Sequence, residues 1–236
     1  MQRSASWTVP VGEHTVSAAF DPATTGEATE AFLFAHGAGG NMSDRGVLAL
    51  SAELRKRGLH VVRFNFPYTE RNSRRPDPMP LLQDCIVAVE AHARQAVDAR
   101  HWILGGRSMG GRAASMLAAD GHACDGLLLL AYPLHPAGQP EKLRDAHLPL
   151  ILAPTLCLNG TKDALCQREL MDAVVARLAT NWTMHWLADA DHSFHVTKAS
   201  GRTAAAIRDE IGDSVATWVA SLTNPPAAPR RILPRS

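Results

Sequence analysis

Apolar and polar positions change period repeatedly along the chain. Residues 13–20 alternate in the manner of a strand with one exposed face. Ala31-Phe32-Leu33-Phe34-Ala35 is instead a continuous apolar run, the signature of a strand buried on both faces. A 3.6-residue period follows: Val47, Leu50 and Leu54 share one face, Ser43 and Asp44 supply an N-cap and a first-turn acid, and Gly58 stops the helix. Leu59–Phe64 reads as a strand, and Leu82, Cys85, Ile86, Val89 and Ala93 as a helix. The runs 101–105 and 126–131 read as strands enclosing a small-residue helix from Met109, and Thr155–Leu158 as another strand. Leu170, Val174 and Leu178 mark a helix face, 182–186 a last strand, and Ile207, Ile211, Val215, Trp218 and Leu222 the stripe of a final helix. Strands alternating with helices predict an α/β fold, a mostly parallel central sheet covered by helices on both faces. Residues 1–222 are expected to form one domain. The tail 223–236, with Pro225, Pro226, Pro229, Pro234 and three arginines, is expected to be disordered.

Composition narrows the function more than the fold. Lys plus Arg total 24 against 23 for Asp plus Glu, a net charge of +1 that argues against a dedicated nucleic-acid or membrane-surface binder. The four cysteines (Cys85, Cys124, Cys157, Cys166) have no metal-ligand or redox spacing, so free thiols are expected, with no metal and no cofactor. The N-terminus lacks a signal-like apolar segment and no run approaches a membrane span, which makes a cytoplasmic location the expectation.

The chemistry concentrates at Gly106-Arg107-Ser108-Met109-Gly110. A G-x-S-x-G pattern arises by chance in roughly one chain in twelve of this size, so its context decides. An apolar strand leads into it and a small-residue helix leaves it, as in a nucleophile elbow. A serine hydroxyl needs a base, and the base needs a carboxylate on its far nitrogen to fix its tautomer. Ser108, Asp163 and His192 each follow a predicted strand, in the chain order of an elbow hydrolase. His195 is a rival base, Asp189 and Asp191 are rival acids, Cys166 is a remote rival nucleophile, and His36 fits a brace for the neighbouring loop. That loop, Ala35–Asn41, ends a strand in small residues. Ala38, or second Gly39, is the candidate oxyanion donor beside the Met109 amide. It lacks the spacing of a phosphate loop.

With these residues in place, the chain resembles the α/β-hydrolase superfamily, and within it small lidless proteins related to dienelactone hydrolase. The resemblance rests on His36-Gly37-Ala38-Gly39, Phe64-Asn65-Phe66-Pro67-Tyr68, the stretch Gly106–Arg112, Tyr132-Pro133-Leu134-His135-Pro136, Gly160-Thr161-Lys162-Asp163 and Asp191-His192-Ser193-Phe194. It covers about residues 13–222 and implies Ser108 as nucleophile, Asp163 as acid, His192 as base, and an oxyanion hole near Ala38 and Met109. Dienelactone hydrolases carry cysteine at the elbow, so the serine here departs from them. Some eukaryotic relatives are thought to be subunits of larger assemblies, which leaves a protein partner open.

The interval between residues 131 and 155 is too short for a lid domain, so an open site is expected with Tyr132, Pro133, Leu134 and His135 on its rim. The long loop Pro67–Pro80 would bring Tyr68, Arg71, Arg74 and Arg75 to the same edge. With Arg107 and Arg112 they form either a cationic rim for anionic acyl groups or ordinary surface pairs with Glu70 and Asp77. Tyr68, Arg107, Tyr132 and His135 are the candidate substrate contacts. The leading expectation is a serine hydrolase of small esters or thioesters acting through an acyl-enzyme. Amide cleavage would need a deeper pocket, and a non-catalytic interaction module is the alternative of another class.

Overall fold

A computed structural model describes residues 2–179 and 181–223. Eight strands form one sheet: β1 (Ala5–Val11), β2 (His14–Asp21), β3 (Glu30–Ala35), β4 (His60–Phe64), β5 (His101–Arg107), β6 (Gly126–Leu130), β7 (Thr155–Gly160) and β8 (Trp182–Leu187). Their spatial order is β1-β2-β4-β3-β5-β6-β7-β8. β2 runs antiparallel to both β1 and β4, and the remaining pairs are parallel. The helices are α1 (Arg45–Lys56), the single turn α2 (Pro67–Glu70), α3 (Met79–Ala96), α4 (Met109–Ala119), α5 (Arg168–Val175) and α6 (Ala204–Thr223).

Both faces of the sheet are covered, which is why the central strands read as unbroken apolar runs. Alternate residues serve opposite cores: Leu33, Leu104, Leu127 and Leu129 pack toward α3, α4 and α5, while Phe32, Phe34, Ile103, Leu128 and Leu130 pack toward α1 and α6. Between β6 and β7 there is only irregular chain and one 3-10 turn, Leu148–Leu150, with no lid.

Two differences from the sequence expectation have physical reasons. β1 was not foreseen, because Pro10 interrupts its alternation. As an edge strand it hydrogen-bonds on one side only and tolerates a residue without an N–H. The supposed 67–80 loop is shorter, since its first residues wind into α2 behind Pro67 at the first helical position. The expected disordered tail lies outside the described residues from Asn224 onward. Among the described residues, no helix is long and apolar enough to cross a membrane.

The chain progresses from β3 to β4 on one side and from β5 to β6 on the other, so the strand order reverses between β3 and β5. Loops leave that crevice in opposite directions, which is where such sheets place ligands. The loop after β3 carries Ala38, and the turn after β5 carries Ser108.

Candidate active site

The turn after β5 is shaped by what its neighbours forbid. Ser108 has φ 51° and ψ −116°, a positive φ that a non-glycine residue adopts at a cost. A Cβ on Gly106 would overlap the carbonyl oxygen of Ala35 and lie 2.9 Å from its carbon; on Gly110 it would lie 2.5 Å from the same oxygen. The two glycines thus let the elbow lie directly against β3. The Ser108 amide donates to Leu130 O of β6 at 2.9 Å, which anchors the turn on its other side.

Ser108 Oγ lies 2.9 Å from His192 Nε2, and His192 Nδ1 lies 2.9 and 2.8 Å from the two oxygens of Asp163. The carboxylate accepts a hydrogen bond from Nδ1–H, which fixes that tautomer and leaves the Nε2 lone pair to face the serine hydroxyl. Asp163 is buried and is itself held: Leu165 N–H donates to Oδ1 at 2.8 Å and Asn159 Nδ2 to Oδ2 at 3.1 Å. Asn159 also accepts from Tyr132 N–H and donates to Tyr132 O, each at 3.0 Å, so it ties the end of β7 to the end of β6. Lys162 N–H to Ala190 O, at 2.9 Å, joins the loop of Asp163 to the loop of His192.

The loop after β3 packs on Ser108: the Cβ position of Gly37 is 3.5 Å from Ser108 Cβ. The Gly37 carbonyl receives His36 Nδ1–H at 2.8 Å, Gly40 N–H at 3.2 Å and the Tyr68 hydroxyl at 3.3 Å. His36 Nε2 accepts from Phe66 N–H at 3.2 Å, which makes Nδ1 the protonated nitrogen. Because a trans peptide points its N–H opposite its C=O, three donors on Gly37 O also aim the Ala38 N–H. Ala38 and Gly39 are exposed; among the described residues the Ala38 amide has no acceptor in the chain, whereas the Gly39 amide is directed at the Tyr68 hydroxyl. Met109 opens α4, where a first-turn N–H has no intrahelical partner.

A profile of the alpha/beta hydrolase domain matches residues 28–220. The chain belongs to the α/β-hydrolase family. Solved structures of similar fold include an alpha-beta serine hydrolase homologue from Coxiella burnetii, at 19% identity, covering 89% of this chain and 97% of that one with a TM-score of 0.73. A lidless a/b serine hydrolase from Xanthomonas campestris matches at 22% identity over 92% and 96%, with a TM-score of 0.73. A dienelactone hydrolase from Anabaena variabilis matches at 20% identity over 92% and 97%, with a TM-score of 0.70.

Within this α/β-hydrolase three of the four candidate substrate contacts, Tyr68, Tyr132 and His135, are buried. Tyr132, with Pro133 and Leu134, is buried, and its hydroxyl donates to Arg144 O at 2.6 Å. His135 is buried too. Its Nδ1 meets Pro136 O at 2.9 Å and its Nε2 accepts Gln167 N–H at 3.1 Å, so it pins the segment that follows the acid. Tyr68 is buried beneath the Gly37 loop rather than facing a substrate. A strand end fixes where the backbone is but not whether the next side chain turns outward, and apolar mass favoured inward. Arg107 donates from Nη2 to His192 O at 3.1 Å and to Ser193 Oγ at 3.0 Å, which steadies the base loop. Arg71 pairs with Asp77, the ordinary alternative for that arginine.

The rivals fall elsewhere. His195 is exposed, 3.9 Å from Asp191. Asp191 caps its own loop through Ser193 N–H and His195 N–H. Cys166 is buried, and burial pushes its thiol up, away from the nucleophilic thiolate. Asn159 was not foreseen as a partner of the acid. Its signal was there: an amide closing the apolar run Thr155–Leu158 must be buried, and a buried amide needs partners.

Burial also sets a pH dependence of stability. Desolvation lowers the pKa of His36, His60 and His147, the last to about 4 by burial and then by Arg112. The unfolded chain protonates these imidazoles near the ordinary ~6.5, while the folded chain resists. Stability is therefore full above that value and declines as pH falls toward 4. For half-buried His147 the loss is about 1–2 kcal/mol after allowing for solvent screening. Thermal melts between pH 7.5 and 4.5 are expected to show a falling midpoint, with a flatter slope in His147→Gln; equal slopes would refute this assignment.

Proposed function

We propose that the protein is a serine hydrolase that cleaves small esters or thioesters through an acyl-enzyme on Ser108. The supporting observation is the unbroken hydrogen-bonded relay from Ser108 Oγ through His192 to Asp163. Ser108 Oγ attacks the carbonyl carbon as its proton passes to His192 Nε2. The carbonyl oxygen becomes an alkoxide and takes the amides of Met109 and Ala38, with Gly39 as the second loop donor, preorganised for charge that appears only in the transition state. Asp163 stabilises the imidazolium. The tetrahedral centre collapses, the C–O or C–S bond breaks, and Nε2–H protonates the leaving group. Water then repeats the sequence with His192 as its base, releasing the acid and restoring the serine.

The lidless edge suits small, accessible substrates. Four free thiols, three of them buried, fit a reducing compartment, and we place the protein in the cytoplasm. A fluorophosphonate is expected to label one residue, Ser108, stoichiometrically, with parallel loss of p-nitrophenyl ester turnover. Labelling elsewhere, or turnover that survives full labelling, would refute the reading.

The aimed Ala38 amide gives a finer expectation. Tyr68→Phe removes one of three donors on Gly37 O, a hydrogen bond worth ~1 kcal/mol. It should lower kcat about 3- to 10-fold while KM stays near its starting value. A change in KM alone would instead mean that Tyr68 contributes to ground-state binding.

A further inference from the structure

Beside the base loop lies a cleft of about 260 Å³ that the relay does not use. Its walls are the first turn of α1, bearing Arg45, and the start of α6, with Ala204 in the first turn and Arg208 in the second. Arg107 and the loop residues Phe194 and His195 close it, and Leu50 supplies apolar floor. Three arginines line this small space. Among the described residues, no ion pair or hydrogen bond engages the guanidinium of Arg45 or Arg208. Arg107 Nε is buried with no hydrogen-bond partner. The Nη1 of Arg107 lies 3.5 Å from the Cβ position of Gly46 in the first turn of α1, where a cation meets the positive end of the helix dipole.

The surrounding carboxylates do not neutralise this group by contact. Asp44 receives Asn41 N–H and Nδ2 at 3.0 and 2.9 Å. Asp191 receives Ser193 N–H and His195 N–H. Asp209 lies 3.8 Å from Arg57, and Glu210 pairs with Arg202 and His185. Asp191, Asp44 and Asp163 act on Arg107 only through space, so two helix N-termini and three arginines around a concavity form a receptor for negative charge that no carboxylate of the described residues meets by contact.

We propose that this cleft binds an anionic group, a carboxylate or phosphate, carried by the ester on which Ser108 acts. The substrate assignment rests on the hydrolase reading; the anion site does not. Arg107 joins the two regions, since the same guanidinium holds the His192 loop and lines the cleft. The apolar floor of Leu50 and Phe194 suits a short methylene chain between the anion and the scissile carbonyl.

The test compares mono-p-nitrophenyl adipate with p-nitrophenyl hexanoate, chains of equal length that differ by a terminal carboxylate. The ratio of their kcat/KM values is expected to favour adipate about tenfold or more at low salt, and to shrink in 0.5 M NaCl. In Arg45→Ala/Arg208→Ala that ratio should fall at least tenfold, with partial recovery in Arg45→Lys/Arg208→Lys. A second arm needs no turnover. Adipate or inorganic phosphate should raise the melting temperature of Ser108→Ala, the uncharged hexanamide should not, and the rise should vanish when the two arginines are also removed. A larger rise with phosphate would assign the cleft to phosphate esters, and a larger rise with adipate to carboxylates. Hydrolysis of both esters with no anion preference and no stabilisation would overturn the proposal and leave the hydrolase intact. Arginine-dependent stabilisation without turnover of either ester would keep the anion site and refute the hydrolase.

Discussion

Ser108→Ala is expected to lower kcat for a p-nitrophenyl ester by about 10⁵- to 10⁶-fold, with the fold unchanged. In the proposed mechanism the hydroxyl oxygen forms the acyl bond, so no neighbour would compensate for it. His192→Ala should cost about as much, and the double variant little more, because the two side chains act as one unit. Asp163→Asn should cost about 10⁴-fold, since an amide that donates to Nδ1 fixes the wrong tautomer. Folding is the necessary control. Ser108 holds a positive φ whichever of the two side chains it bears, so the melting temperatures of the parent and Ser108→Ala should agree within a few degrees. A kcat within tenfold of the parent in Ser108→Ala would remove the nucleophile from the mechanism.

Gly106→Ala should have the largest effect on stability. It meets two obstacles: a φ of +152° that side chains rarely adopt, and overlap of its new methyl with Ala35 O on the adjoining strand. Neither β3 nor β5 can retreat, because both are central, fully buried and paired in register. A loss above about 4 kcal/mol is expected, which for a domain of this size lowers the melting temperature by roughly 10–15 °C or prevents soluble expression. Gly110→Ala separates the two causes. Its methyl would meet Ala35 O and His36 O at 2.5 and 2.6 Å, but its backbone is helical, so it carries the collision without the strain. It should be destabilised less than Gly106→Ala. A shift of under 3 °C in Gly106→Ala would mean that the elbow does not press on β3 as described.

Much of the site was legible because each part announces itself locally. An elbow demands glycines around its serine, and those glycines can be read directly. Ser108, Asp163 and His192 follow strands β5, β7 and β8, whose apolar runs are unmistakable, and parallel strands bring their carboxyl ends to one edge. Other features had no local mark. Tyr68, Tyr132 and His135 belong to the right edge, but burial there is decided by what lies above them: Gly37 O, Arg144 O and Gln167 N–H, contributed from distant positions. Asn159 stood in plain view at the end of β7, yet its task requires Tyr132 and Asp163 on either side.

Taken alone, the sequence determined the alternation of strands and helices, the covered parallel sheet, and the chain order of Ser108, Asp163 and His192 at strand ends. Those follow from periodicity and from the backbone that a tight turn permits. The tertiary structure alone decided which side chains turn outward, how the Gly37 carbonyl is held, and that Arg45, Arg107 and Arg208 line one cleft. The reason is physical: period and turn chemistry act between near neighbours, whereas a hydrogen bond 2.9 Å long between residues 84 positions apart exists only after strand register and helix packing have set the distance.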